Sequence, residues 1–303
     1  MSVNIVNVSG GKDSTALLLL AIELGAENLM PVFADTGHEH PETYEYISYL
    51  ENALGVKILK IKRDFSRQIE RKRQTVQTKW VTDGVDLITI AHALEVLHPT
   101  GNPFLDMCLW KCRFPDAINR FCTQELKTIP ILEQLILPLL KDGHEITQWL
   151  GVRGDESAAR ADLAEAEWDD PGLWLYRPIH SWGVDEVFAL HRKHNIKPNP
   201  LYSLGMGRVG CMPCIMNRKD DLAEIAARWP DEIARVREWE RLVSMASKQQ
   251  RATIFPVFRG HGGGIDNEVR WSMTDRGGRQ FSLEKYLNAI EPTNCSSIYG
   301  LCE

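Results

Sequence analysis

The stretch Val3-Asn4-Ile5-Val6-Asn7-Val8-Ser9-Gly10-Gly11-Lys12-Asp13-Ser14 decides how this chain is read. Val3 to Val8 has the pattern of a buried strand, and Ser14 to Leu24 that of a helix closed by Gly25. The turn between them is therefore Ser-Gly-Gly-Lys-Asp-Ser. Two glycines let a backbone bend tightly and bring its N–H groups close to an anion. The helix that follows aims its free N–H groups and positive dipole end at the same point. Lys12 adds a cation, and the Ser9 and Ser14 hydroxyls add donors. The spacing is neither that of a Walker A loop, which has four residues between its glycines, nor G-x-G-x-x-G. An ordinary Gly-Gly turn with a serine cap is the bland alternative, and the strand–loop–helix setting weighs against it.

Outward from this turn the alternation continues. Leu29 to Ala34 predicts a second strand ending in Asp35-Thr36-Gly37, Pro41 to Leu54 a helix with Gly55 past its end, and Val56 to Ile61 a third strand. Helices are expected over 85–97, 115–126, 131–140, 184–194, 220–228 and 230–245, with a strand over 146–152. Strands separated by helices predict a parallel sheet covered on both faces, because parallel neighbours need crossover connections. A break near residue 215 would divide the chain into 1–215 and a helical extension, 216–303, with a cysteine-bearing tail.

At 303 residues, 44% of them hydrophobic, the chain can bury a large core and is not disordered. A net charge of −6 excludes a uniformly basic nucleic-acid coat but not a local basic patch. The run Ala16 to Ile22 falls far short of the ~20 apolar residues that cross a bilayer. With no signal-peptide pattern at the start, the expectation is a cytoplasmic protein without membrane contact. In that compartment its seven cysteines are ligands or nucleophiles rather than disulfides. Cys211-Met212-Pro213-Cys214 sits in a Gly/Pro loop. That spacing suits two thiolates on one metal, whereas a redox dithiol normally opens a helix.

The Ser9–Ser14 loop resembles the pyrophosphate loop of the adenine-nucleotide alpha-hydrolase superfamily, which includes N-type ATP pyrophosphatases and phosphoadenosine phosphosulfate (PAPS) reductases. Further segments resemble the PAPS reductase branch: Val32 to Gly37 with Pro41-Glu42-Thr43, and Arg120 to Thr123 with Lys127 and Pro130. Gly151 to Ser157 with Arg160, and Arg177-Pro178-Ile179, extend the likeness over roughly residues 3 to 220. The resemblance implies an α/β fold with a doubly wound, mostly parallel sheet and a helical, cysteine-containing C-terminal appendage. It puts nucleotide phosphates on Ser9, Gly10, Gly11, Lys12, Asp13 and Ser14, and the adenosine near Asp35, Thr36 and Gly37. Lys127, Arg153 and Arg160, with Gly151 beside them, become anion-binding candidates, for which planar guanidinium forks are suited. Surface pairing with Asp155, Glu156 or Asp162 is the plainer reading of the two arginines.

In the same family a central cysteine joins a downstream C-x-x-C around a [4Fe-4S] cluster, which assigns Cys122, Cys211 and Cys214 here. Cluster-bearing reductases have Cys-Cys at the central position, and this chain has Phe121-Cys122. The fourth ligand is thus open among Cys302, Cys108, Cys112 and Cys295, and Zn²⁺ is the alternative metal. Two activities follow from the resemblance. In one, Lys12 and Asp13 serve a Mg²⁺-dependent cleavage of ATP to AMP and pyrophosphate that activates a substrate, such as a nucleic acid, for sulfur transfer. In the other, Cys302 is the nucleophile of a PAPS or adenosine phosphosulfate reductase releasing sulfite. The tail Gly300-Leu301-Cys302-Glu303 departs from the reductases' tail motif, and the intact loop favours ATP. A cysteine desulfurase or thioredoxin as sulfur or electron donor, and a homodimer, complete the implied partners.

Three other features have ordinary readings. The basic residues Lys60, Lys62, Arg63, Arg67, Arg71, Lys72 and Arg73 suit a solvated helix face. Trp168, Trp174, Trp182, Trp229 and Trp239 suit core packing, and His38 and His40 suit a loop cap or a solvated position.

Overall fold

The computed structural model describes residues 1–256, 260 and 262–274. Strand β1 (Ser2–Val8) alternates as its sequence predicts. Val6 and Val8 pack on one face with α1 (Lys12–Glu23) and α2 (Pro41–Leu54). Val3 and Ile5 pack on the other with Ile131, Leu135 and Ile136. A strand buried on both faces belongs in the middle of a parallel sheet. The observed order is β3-β2-β1-β4-β6-β5. Here β2 is Leu29–Asp35, β3 Leu59–Lys62, β4 Glu145–Trp149, β5 Ala166–Asp170 and β6 Leu173–Tyr176. All neighbouring pairs are parallel except the β5–β6 hairpin at the edge.

The order reverses at β1, which has β2 on one side and β4 on the other. Connections leaving such a reversal diverge to opposite faces and open a crevice beyond the carboxyl ends of the strands. That crevice lies between the Ser9–Ser14 turn after β1 and the Gly151–Arg153 turn after β4. The two turns touch: a Cβ on Gly151 would sit 3.5 Å from the Asp13 carbonyl. Helix α1 presents Ala16, Leu17, Leu18 and Leu19, all fully buried, between the sheet and the Val184–Lys193 helix. Helix α2 has the expected bounds, with His40 as its cap accepting from Glu42 N–H at 3.2 Å and Gly55 left-handed at its end.

Some expectations are corrected. No helix forms over 115–120; the helical stretch starts at Phe121 and runs to Lys141, taking in the expected 131–140 helix. Two π-helical turns, Gln124–Thr128 and Leu132–Ile136, lie just ahead of Pro130 and Pro138. A proline's missing N–H breaks the regular ladder, and a wider turn absorbs the break. Trp168 and Trp174 are not core residues: they are 52% and 45% exposed, edge to face at 4.7 Å on the hairpin. Among the described residues no layer covers the outer face of β5, which reads Ala-Glu-Trp-Asp-Asp. A further helix, α5 (Pro103–Lys111), was not anticipated, although Asn102 caps it through Leu105 N–H and Pro103 opens it.

Beyond residue 215 the Lys219–Arg228, Pro230–Met245 and Ile265–Ser272 helices share one hydrophobic cluster with α3 (Ser66–Thr75), α4 (Leu87–Val96) and α5. Val209, Met212 and Ile215 contribute to that cluster from one side of the expected break, and Leu222, Ile225 and Trp239 from the other. Trp239 stacks on Phe104 of α5 at 5.6 Å and on His38 at 5.0 Å. Trp239→Ala should therefore weaken the packing of the whole molecule, by about 3–5 kcal/mol. Denaturant unfolding followed by circular dichroism should show one transition moved to lower denaturant, rather than early loss of a separate helical unit.

Candidate functional site

The Ser9–Ser14 turn is held from within and from behind. Ser14 Oγ accepts from Ser9 N–H at 3.0 Å and donates to the Gly11 carbonyl at 3.0 Å, with Ser9 Oγ also 3.0 Å away. The two hydroxyls expected to face an anion instead staple the ends of the loop together. Gly10 has φ +75°, and a Cβ there would meet Thr43 Cγ2 at 2.9 Å, so both conformation and space call for glycine. From behind, Asn199 Nδ2 donates to the Gly10 carbonyl at 3.1 Å, and Tyr202 Oη accepts from Lys12 N–H at 2.9 Å. His191 Nε2 lies 2.9 Å from the Lys12 carbonyl and must carry the proton, since a carbonyl only accepts. Burial holds His191 below the ordinary histidine range, in keeping with a neutral ring, and its Nδ1 has no partner. These three residues lie almost two hundred positions from the loop, so the sequence offered no signal for them.

In front of the turn is a cavity of about 700 Å³. Ser9, Gly11, Lys12, Asp13, Ser14, Lys127, Gly151, Arg153 and Arg160 line it. Asp13 sits between two cations: Lys12 Nζ is 2.9 Å from Oδ2, and Arg153 Nε is 2.9 Å from Oδ1. The second contact is close but poorly aligned, an ion pair rather than a hydrogen bond, because neither atom has a hydrogen-bond partner. Arg153 is 4% exposed, its Nη2 reaches Asp155 at 3.3 Å, and its Nη1 has no acceptor. A buried, incompletely satisfied guanidinium is costly unless an anion completes it. Arg160 pairs with Glu156, so both plain pairings expected of these arginines occur beside the cavity. Gly10 and the Asp35–Gly37 segment do not line it. The Asp35 carboxylate instead accepts from Gly37 N–H at 2.9 Å and from Tyr44 Oη at 2.7 Å.

The loop after β2 is joined to the C-x-x-C loop. Glu39 and Cys211 form an antiparallel bridge, and Met212 N–H donates to the His38 carbonyl at 2.8 Å. Thr36 Oγ1 lies 3.6 Å from Cys211 Sγ, and His38 Nε2 lies 2.9 Å from the Pro213 carbonyl. Arg235 reaches over from the Pro230–Met245 helix to the Met212 carbonyl at 2.9 Å and to His38 Nδ1 at 3.3 Å. His38 is thus neither a cap nor solvated. It is fully buried against Phe104 and Trp239, and burial, with Arg235 beside it, pushes it down to about 3. Glu39, missed in the sequence, lines the cavity and accepts from Thr36 Oγ1 at 2.7 Å and Tyr44 Oη at 3.2 Å.

Residues 3–217 match the phosphoadenosine phosphosulfate reductase domain. The chain belongs to the PAPS reductase family. Along its whole length it is similar to an uncharacterized 37.8 kDa protein of Escherichia phage 186, at 48% identity with 97% of that protein covered. It is also similar to adenosine 5'-phosphosulfate reductases: 31% identical to that of Burkholderia cepacia over 38% of this chain, and 40% identical to that of Allochromatium vinosum over 21%. The chain spans 50% and 25% of the lengths of those two reductases. A PAPS reductase from Candida auris, solved as a phosphate complex, superposes with a TM-score of 0.39 at 16% identity, covering 69% of this chain and 80% of that one. No described helix is long and apolar enough to cross a membrane.

Cys122, Cys211 and Cys214, the thiols that the resemblance assigns to a metal centre, come near one another here without closing a site. Burial raises Cys122, and Cys214 raises it further. Cys211 is pushed up to about 12 by burial and by Glu39, against the pull of Lys127. Burial alone would lower Lys127, but Cys211, Glu39 and Cys214 raise it above the ordinary lysine range. Among the described residues, no three His, Cys, Asp or Glu side chains converge tightly enough to coordinate an ion. Cys108 is buried near Cys122, whereas Cys112 is drawn to Lys72. Cys295 and Cys302 lie outside the described residues.

The buried imidazole behind the loop carries a pH signature. Its folded value lies below its unfolded one, so the unfolded chain binds the extra proton and stability is lost as pH falls below about 6.5. In His191→Gln, which keeps a donor for the Lys12 carbonyl, that loss should be shallower by up to about 1.4 kcal/mol per pH unit. Denaturant midpoints measured from neutral pH downward check it; equal slopes in both proteins would count against a buried neutral ring.

Proposed function

We propose that this PAPS reductase family member binds ATP and cleaves it to AMP and pyrophosphate, activating an acceptor for sulfur transfer. The observation that carries the reading is the backbone-held Ser9–Ser14 loop facing Arg153, a buried guanidinium with an unsatisfied Nη1. A phosphate chain laid along the loop meets the Asp13 and Ser14 amides, which a helix's first turn leaves without intrahelical acceptors. Lys12 and Arg153 meet it from either side of Asp13, whose carboxylate holds both cations in place against their mutual repulsion. An acceptor oxygen attacks the α-phosphorus, the α–β bridging bond breaks, and pyrophosphate departs with the added charge. Lys12 and the fixed amides stabilise that charge without reorganising, which is where such sites gain most of their rate. A sulfur nucleophile then displaces AMP from the acceptor. Mg²⁺, when bound, would neutralise the phosphate oxygens.

Cys122, Cys211 and Cys214 are the residues that would hold a [4Fe-4S] cluster, or zinc in its place, with Cys302 as the candidate fourth ligand. Such a centre, when bound, would supply sulfur or electrostatic chemistry beside the nucleotide. Glu39 and Thr36 tie Cys211 to the nucleotide side of the site, so its thiol is held in one position in advance.

The test is anaerobic incubation of the purified protein with ATP, where water takes the place of the acceptor oxygen, and, separately, with PAPS and a dithiol reductant. The expected outcome is AMP and pyrophosphate from ATP, with Lys12→Ala lowering turnover roughly 10²–10³-fold. Sulfite from PAPS without ATP cleavage would instead make Cys302 the nucleophile of a reductase and overturn the reading. Iron and acid-labile sulfide analysis, with the absorption spectrum, distinguishes a cluster from zinc.

A further inference from the structure

The cavity is lined by more positive charge than its deep end uses. Its walls hold Lys12, Lys127, Arg120, Arg153, Arg160, Arg208 and Arg218 against the carboxylates Asp13, Glu39, Asp155, Glu156 and Asp221, a small excess of positive charge. Arg153 is buried, whereas Arg120, Arg208 and Arg218 are exposed and so stand at the mouth. No acidic side chain pairs with these three among the described residues, although other exposed arginines are paired: Arg237 with Asp266 at 2.6 Å and Arg241 with Glu238 at 2.7 Å. Like charges crowd one another here. Arg160 is held below its ordinary range by burial and then by Arg208 and Arg120. A chain of net charge −6 that nonetheless gathers unpaired guanidiniums at one opening builds a local field for an anion.

A nucleotide whose phosphates lie against Lys12 and Arg153 leaves this outer set unused. Met216, 39% exposed, lines the same opening. Several exposed cations at one opening fit a polymer of repeated phosphates, and arginine planes can also stack on its bases. A duplex cannot enter a cavity of about 700 Å³, so a reacting group must arrive on a flexible or extruded strand.

We propose that Arg120, Arg208 and Arg218, around Arg160, bind the phosphodiester backbone of a single-stranded nucleic acid at the cavity mouth. As an assignment of the acceptor, this rests on the ATP-cleaving reading above. The test is fluorescence anisotropy of a labelled single-stranded oligonucleotide, titrated with full-length protein without nucleotide at several salt concentrations. Affinity should fall steeply with salt. Arg120→Gln and Arg208→Gln should each weaken binding and flatten the log–log salt slope by about 0.7, and the double variant should bind roughly tenfold more weakly. Arg237→Gln should behave as wild type, and melting curves should show all variants folded.

The surface assignment is overturned by absence of binding, by a salt slope unchanged in the double variant, or by equal binding of a duplex or of polyaspartate. ATP cleavage measured both with and without oligonucleotide separates the two ideas. Pyrophosphate release without arginine-dependent binding overturns this inference and leaves the reaction standing. Arginine-dependent binding without pyrophosphate release supports the surface and overturns the reaction.

Discussion

A helix that begins directly after a central parallel strand must turn its first amides toward the space beyond the sheet, and those amides repel any cation placed among them. This chain puts two there. Lys12 and Arg153 are kept from separating by one carboxylate, Asp13, at 2.9 Å from each. The turn carrying Lys12 and Asp13 cannot relax backward, because Asn199 holds the Gly10 carbonyl and Tyr202 and His191 hold both sides of the Lys12 backbone. Much of the remaining architecture serves this arrangement. The Val184–Lys193 helix packs on α1 and carries His191, and the β4 turn brings Gly151 close enough to touch Asp13. Orphan amides and crowded cations are unfavourable in an apolar interior and favourable around an anion.

The second constraint is the seam between the loop after β2 and the C-x-x-C loop. Gly37 has φ +71°, and a Cβ there would meet Pro103 Cδ at 2.7 Å, so that loop is pressed against the start of α5. From there His38 and Glu39 bond directly to residues 211–213, and Arg235 closes the seam from the far helix. The C-terminal helices are therefore more than an appendage to the nucleotide fold. Through Trp239, His38 and Arg235 they set where the thiols stand relative to the cavity.

Local chemistry made a large part of this legible. The β1–turn–α1 unit, the span of α2 and the alternation of strands with helices follow from apolar periodicity and helix-end residues, which act over a few neighbouring positions. Lys12, Asp13, Lys127, Arg153 and Arg160 line one cavity because short segments at strand ends have little freedom over where they project. The errors share a cause as well. The hydrophobicity of Trp168 and Trp174 suits a core, but whether a second layer covers an edge hairpin is not written in the hairpin. His38 was read as a loop residue because the aromatic rings and the carbonyl that bury it come from α5, the Pro230–Met245 helix and the loop at Pro213.

The fold class and the tight Ser9–Ser14 turn are legible in the chain alone, since both depend on periodicity and on residues adjacent in sequence. Only the tertiary structure decided what the site consists of. It placed Asn199, Tyr202 and His191 behind the loop, turned the Ser9 and Ser14 hydroxyls inward, and drew Asp35 away from the cavity into bonds with Gly37 and Tyr44. It also left Arg120, Arg208 and Arg218 exposed together at one opening. The reason is physical: a side chain's role is set by which desolvated partners surround it, and those partners arrive from strands, helices and loops far apart in sequence.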